Sequence, residues 1–337
     1  MIELGISTFG ETTEIEGTGV APKHDQRIRD MIEEMKLADE VGLDVYAIGE
    51  HHREDFAVSA PEILLAAGAS VTKNIKLSSA VTVLSSADPV RVYQQYATID
   101  AISNGRSEVM VGRGSFTESF PLFGYDLDDY EELFDEKLEM LDKIKNNEKL
   151  TWEGKHTQSV LDKGVYPRAI QEDFPIWVAT GGNVESTVKI AQKGFPIAYA
   201  IIGGEYRRFK GLVDYYKAVG RNAGYSDDKL KVASHSWGFI ADTDEEAIKK
   251  YSKDRPFWRP LTFEQYLNSV GPEGSMLVGS PETVANKLID MIETLNLNRF
   301  LLHLPLGSMP HEDIMKAIKL FGEEVAPRVR AHFNKSK

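Results

Sequence analysis

The stretch Ile75–Gly114 constrains the fold more than any other. It reads strand, turn, helix, turn, strand. Ile75–Val83 (IKLSSAVTV) is the first strand. Ala87-Asp88-Pro89 turns the chain, with Asp88 as helix cap and Pro89 at the first helical position. Val90–Ile102 carries apolar residues at helical spacing, and Ser103-Asn104-Gly105 stops it. Ser107–Gly112 (SEVMVG) is the second strand. Two strands joined by a helix must run parallel, with a right-handed crossover. Arg113-Gly114 then leaves the carboxyl end of a buried strand, where parallel α/β folds place their chemistry.

The same alternation runs along the chain. It predicts strands at Glu3–Thr8, Asp44–Ile48, Ile75–Val83, Ser107–Gly112, Pro175–Thr180, Pro196–Ile201, Lys231–Ala241 and Arg299–Leu304, nearly all followed by helices. The last helix is expected over His311–Val325, and Ser115–Asp129 and Arg255–Met276 read as irregular stretches. Several strands are near-continuous apolar runs, as strands buried on both faces should be. Residues 148–173 read as a small hairpin excursion, and no stretch has the character of a domain boundary. The pattern predicts one α/β domain over 1–337, a (β/α)8 barrel with insertions. A doubly wound open sheet would want a Gly-rich dinucleotide fingerprint after the first strand, and Phe9–Val20 supplies none.

Composition narrows the function. A formal net charge of −13 argues against a nucleic-acid surface, which needs clustered Lys and Arg. The absence of cysteine excludes disulfides, thiolate nucleophiles and cysteine–zinc sites. The N-terminus lacks a basic region followed by an apolar one, and no apolar run approaches the roughly 20 residues of a membrane span. The expectation is a cytoplasmic protein with no membrane contact.

Three clusters fall where a barrel would place its active face. Glu50-His51-His52 follows the second strand. A histidine there could act as general base, could be a plain loop residue, or could ligate a metal. Against the metal, no H-E-x-x-H is present and the other histidines are scattered, so no metal is assigned. Gly112-Arg113-Gly114 follows the fourth strand. Arg113 offers planar donors suited to a phosphate, or could pair with Glu118. Gly181-Gly182-Asn183-Val184-Glu185-Ser186-Thr187 follows the fifth. It is either an anion site at a helix N-terminus, with Ser186 adding a hydroxyl, or a tight turn capped by Asn183. The second and third clusters together favour one phosphate.

At these residues the chain resembles the bacterial luciferase-like flavin monooxygenases over nearly its whole length. The resemblance is carried by IGEHH (Ile48–His52), VLSSADPVR (Val83–Arg91), NGR (Asn104–Arg106), VGRG (Val111–Gly114) and TGGNVEST (Thr180–Thr187). It implies a barrel that binds FMN at its C-terminal mouth. Arg113, Gly181, Gly182, Asn183 and Ser186 would hold the phosphate end. Ala80 and Val81 would lie under the flavin ring, where the family often has a non-proline cis peptide. His51 would be the active-site histidine and Glu50 its neighbouring carboxylate. Arg255–Met276 falls where the family has a mobile lid, with Phe257, Trp258 and Tyr266 placed to exclude water. Reduced FMN would come from a separate flavin reductase and react with oxygen to oxidise a small organic substrate, in a homodimer. The light-emitting subunits carry cysteine at the position of Gly112 and an aspartate near Ser119, and the departures here imply a non-luminescent enzyme. Two other readings stay open: a deazaflavin-dependent dehydrogenase of the same superfamily, and a non-catalytic flavin-binding subunit.

Overall fold

The computed structural model describes residues 2–15, 17–251, 262–305 and 307–335. Eight parallel strands close on themselves: β1 (Glu3–Thr8), β2 (Val45–Ile48), β3 (Lys76–Ser79), β4 (Ser107–Gly112), β5 (Ile176–Thr180), β6 (Ile197–Ala200), β7 (Val232–Ile240) and β8 (Arg299–His303). Each pairs with the next, and β8 returns to β1 with Ser7 opposite His303. The chain is thus a closed (β/α)8 barrel, and its period-two pattern is visible in two separate cores. Leu4, Ile6, Tyr46, Val109, Phe300 and Leu302 face outward and pack with the helices. Val45, Ala47, Met110, Trp177, Ala233 and Leu301 fill the barrel itself.

The two ends of the barrel differ in chemistry. At the N-terminal end Arg299, on β8, is fully buried. It donates to Glu108 at 2.6 and 3.0 Å and to Glu3 at 2.6 and 2.8 Å. Lys76 joins both carboxylates, and the guanidinium lies 4.4 Å from the Trp177 ring centroid. This plug closes the bottom with every charge paired. Towards the C-terminal end the inward positions become small: Ala80, Ala179 and Ala200 are only half-buried and open to the mouth.

Four details differ from the expectation. The strand predicted over Ile75–Val83 stops at Ser79, is interrupted by a cis peptide between Ala80 and Val81, and resumes as Thr82–Val83 beside β4. The irregular stretch before Met276 contains a helix, Phe263–Val270, with Thr262 and Gln265 forming a capping box. The segment Ser115–Asp129 holds a short helix, Ser119–Phe123, and a 3-10 turn, Leu127–Asp129. The last helix does not end at Val325. Its Phe321–Val325 turn widens to π geometry and the helix continues over Ala326–Lys335. The expected hairpin is present as Lys149–Trp152 paired antiparallel with Val160–Gly164. Phe257 and Trp258 lie outside the described residues. Tyr266 is buried, its hydroxyl donating to the Ile248 carbonyl at 3.3 Å. Among the described residues no helix is long and apolar enough to cross a membrane.

The plug has a pH signature. Burial by itself raises the Glu3 carboxyl, but Arg299 and Lys76 outweigh it and bring the pKa down from 4.5 to about 2. The unfolded chain therefore binds the extra proton between those values, and Glu3's stabilisation is lost as pH falls from 4.5 towards 2. We predict that Glu3→Gln is less stable than wild type at pH 7, by about 1–3 kcal/mol. Urea midpoints should show that difference shrinking as pH falls through the same window.

Candidate active site

The loops after β4 and β5 build a corner suited to an anion. Arg113 follows β4, and its Nη1 donates to Ser186 Oγ at 3.0 Å. Ser186 stands in the first turn of the helix Val184–Gln192. Asn183 caps that helix, its Oδ1 accepting the Ser186 N–H at 3.1 Å. Gly182 takes φ +100°, and a Cβ there would come within 2.7 Å of the Phe209 ring, so the turn needs glycine. A Cβ at Gly181 would meet open space. Arg113 Nε is buried and has no hydrogen-bond partner among the described residues. Its Nη2 pairs with the exposed Glu131 at 3.1 Å, not with Glu118, which lies 3.6 Å from Arg53. A cation with a spare donor, a hydroxyl and the start of a helix thus converge beside a glycine that leaves room. That set fits a phosphate group.

Glu50 serves the strand break rather than His51. Its N–H donates to the Val81 carbonyl at 3.2 Å, and its Oε2 accepts the Val83 N–H at 2.8 Å. Its Oε1 lies 2.7 Å from His52 Nε2. The carboxylate therefore holds the Ala80–Val83 segment from outside. On the inside, Val81 packs against Gly112, where a Cβ would be 2.9 Å from a Val81 methyl.

His51 occupies the opposite wall. Its backbone N–H donates to Val58, and its ring stacks on Phe56 at 4.3 Å, with Phe9 and Phe116 edge-on at 4.7 and 5.0 Å. Burial, followed by the charge of nearby His303, pushes the His51 pKa down from 6.5 to about 3. At neutral pH it is an uncharged ring in an aromatic wall. It can donate one hydrogen bond or accept one, and it does not pair with Glu50.

The structure adds residues that the rim motifs do not mark. His235 and His303, scattered in sequence, come together because β7 and β8 are neighbours, with ring centroids 5.0 Å apart. The Phe9 ring lies 4.2 Å from His303 and 4.7 Å from His51. The fully buried Glu11 accepts from His303 Nε2 at 2.9 Å. The signal for His303 was the alternation Arg299, Leu301, His303, which puts a polar ring inside the barrel at a strand's carboxyl end. Among the described residues the three-residue group with metal-ligand spacing is Asp129, Glu132 and His156, and it includes none of the mouth histidines.

The fold and site together define a closed parallel barrel with an anion corner and an aromatic, histidine-lined mouth. Residues 2–296 match the family described as luciferase-like monooxygenase, and the chain belongs to that family. It is 27% identical over 290 residues to the N-acetyl-S-alkylcysteine monooxygenase of Bacillus subtilis, covering 80% of this chain and 85% of that one. Among solved structures it resembles the monooxygenase RslO1 of Streptomyces bottropensis with a TM-score of 0.85, 22% identity and coverage of 97% and 99%. The oxygenating constituent of 3,6-diketocamphane monooxygenase from Pseudomonas putida, solved with FMN, gives 0.74, 22%, 98% and 99%. An F420-dependent secondary alcohol dehydrogenase with an F420–acetone adduct gives 0.75, 19%, 98% and 99%.

The depressed pKa of His51 yields a direct test. Unfolded chains bind a proton at this residue between pH 6.5 and 3 that the folded chain does not, so acid destabilises the fold through this window. His51→Phe keeps an aromatic ring and removes the titration. Its urea midpoint should fall less than that of wild type between pH 7 and pH 4.

Proposed function

We propose that this protein is a non-luminescent, FMN-dependent monooxygenase that acts on a small organic substrate. The observation that carries the reading is the Arg113–Ser186 corner at the start of the Val184–Gln192 helix, facing a mouth of small inward residues. Arg113, Ser186 and the backbone of Gly181 and Gly182 would bind the phosphate, while Asn183 fixes the helix start. Ala80 and Val81, held from behind by Glu50, would support the ring. When bound in reduced form, the flavin supplies the electrons that activate dioxygen. The chain's own share is placement and dryness. Phe9, Phe56 and Phe116 remove water from around His51, and the uncharged imidazole is free to hold or pass one proton. Glu50 acts in this scheme as a positioning residue. The reading includes a separate reductase as source of reduced FMN and a homodimer. Ile63, Val71 and Ile102, exposed on the helices Pro61–Val71 and Pro89–Ser103, support the dimer.

The likeness to an F420-dependent dehydrogenase supports a second reading, in which a deazaflavin takes the same place. A fluorescence titration with oxidised and reduced FMN, riboflavin and F420 separates the two. Tight FMN binding that depends on the phosphate supports the monooxygenase, and binding of F420 with no affinity for FMN replaces it.

Two variants extend the test. Arg113→Ala should weaken FMN by about 10–100-fold and leave riboflavin affinity unchanged, since a charge-assisted contact to phosphate is removed. Equal loss for both flavins would refute the phosphate role. His51→Ala should keep FMN affinity and cut turnover by roughly 10²–10⁴. An unchanged rate would remove His51 from the mechanism.

A further inference from the structure

Ala80 after β3, Ala179 on β5, Ala200 on β6 and His235 on β7 take inward positions and are half-buried at the mouth. The alanines add only methyl groups. His235 stands level with Ala200 across the β6–β7 pairing, two residues beyond Ala233, which fills the barrel. From the Arg113–Ser186 corner the floor of the mouth therefore runs over Ala179 and Ala200 and ends at an imidazole.

The polar side chains beside that floor are already spent. Ser7 Oγ and Glu11 Oε1 take the two ring nitrogens of His303, at 3.3 and 2.9 Å. Ser79 Oγ donates to the Met110 carbonyl at 2.8 Å, and Ser236 Oγ to the Ile201 carbonyl at 2.9 Å. His235 differs. Its Nε2 is buried with no hydrogen-bond partner among the described residues. Phe9 and His303, with ring centroids 5.9 and 5.0 Å away, meet it as rings. A buried polar nitrogen left unpaired is costly, and an apolar ring would line this wall without that cost. Burial, and after it His303, holds the His235 pKa well below 6.5, so the ring is neutral near pH 7 and offers one donor and one acceptor. Among the described residues no hydrogen bond fixes its tautomer or its turn about Cβ–Cγ, so either nitrogen can face the mouth.

We propose that His235 is a cofactor-contacting residue, whose imidazole pairs with the polar pyrimidine edge of the ring system that the alanine floor admits. The inference rests on the proposed flavin function. The pyrimidine edge of a flavin alternates carbonyl oxygens with an N–H, and a neutral imidazole can donate to the first or accept from the second. The opposite, dimethylbenzene edge has no such group. His235 thereby selects which end of the ring faces β7. A deazaflavin carries the same pyrimidine edge, so the role is common to both cofactor readings.

The test is a fluorescence titration of wild type, His235→Phe and His235→Gln with oxidised FMN and with riboflavin. His235→Phe keeps a ring in the wall and removes the nitrogens. It should weaken both flavins by the same factor, about 3–10-fold, the value of one hydrogen bond. His235→Gln, which keeps a donor and an acceptor, should recover most of that loss. Unchanged affinity in His235→Phe, a loss confined to FMN, or an equal loss in His235→Gln overturns the proposal. The second measurement uses the wild type alone. The His235 ring nitrogens, assigned by through-bond transfer from their own backbone, should shift in the NMR spectrum when FMN is added, as packing in the wall would not require. Unshifted nitrogens overturn the proposal even if a variant fails to fold. Wild type that binds no flavin or deazaflavin refutes the flavin reading and this role with it, whereas wild type that binds FMN and is unaffected by His235→Phe refutes this role alone.

Discussion

Closing eight parallel strands on themselves sends every second side chain into a space that water does not reach. All else in this molecule follows from how that space is filled. At one end it is filled by charge, with Arg299 shared between Glu3 and Glu108 and braced on Trp177. Buried ions are tolerated there because each has a partner and the geometry is two-pronged. In the middle it is filled by Val45, Met110, Trp177 and Leu301. At the other end β3, β5 and β6 contribute alanines, while β7 and β8 turn His235 and His303 inward, so one side of the barrel stays open and the other is lined by rings. The change from charged to bulky to this uneven end positions the mouth before any loop contributes to it.

The mouth then has two unlike sides. The β4–β5 side offers donors: a guanidinium with a spare Nε, a serine hydroxyl and a helix start. The β1, β2, β7 and β8 side offers aromatic and imidazole rings. A ligand with a charged end and a flat end is oriented by this asymmetry without any moving part. The strand break at Ala80–Val81 lies between the two sides and is fixed by Glu50, whose carboxylate is fully committed to backbone and His52. This division explains why Glu50 and His51, adjacent in sequence, do unrelated work. One faces the supporting backbone and the other faces the cavity.

Much of this was legible in the sequence. The eight strands, their order and the corner formed by Arg113, Asn183 and Ser186 follow from period-two runs, caps and glycine turns, all of which are local signals. What was not legible depends on distance in the chain. Glu11 and His303 are joined only when β8 closes against β1. Ala80 and Val81 are ordinary strand residues that do not themselves mark the break after Ser79, and only the family resemblance pointed to a cis peptide there, where the structure has it. The helix Phe263–Val270 was missed although its capping pair, Thr262 and Gln265, stood in plain view. The turn residues around it, Pro256, Pro260, Gly271, Pro272 and Gly274, favour an irregular reading over a short helix. Of the two partners expected for Arg113, Glu118 pairs with Arg53 instead, and Arg113 reaches Glu131 and Ser186.

The contact between Val81 and Gly112 bears on how such a scaffold changes over generations. In this chain any side chain at Gly112 would press on a Val81 methyl, with no slack between them. The two positions therefore form one unit of heredity. A side chain gained at Gly112 before Val81 changes passes through a misfitted intermediate, whereas a smaller residue at Val81 first opens the space it needs.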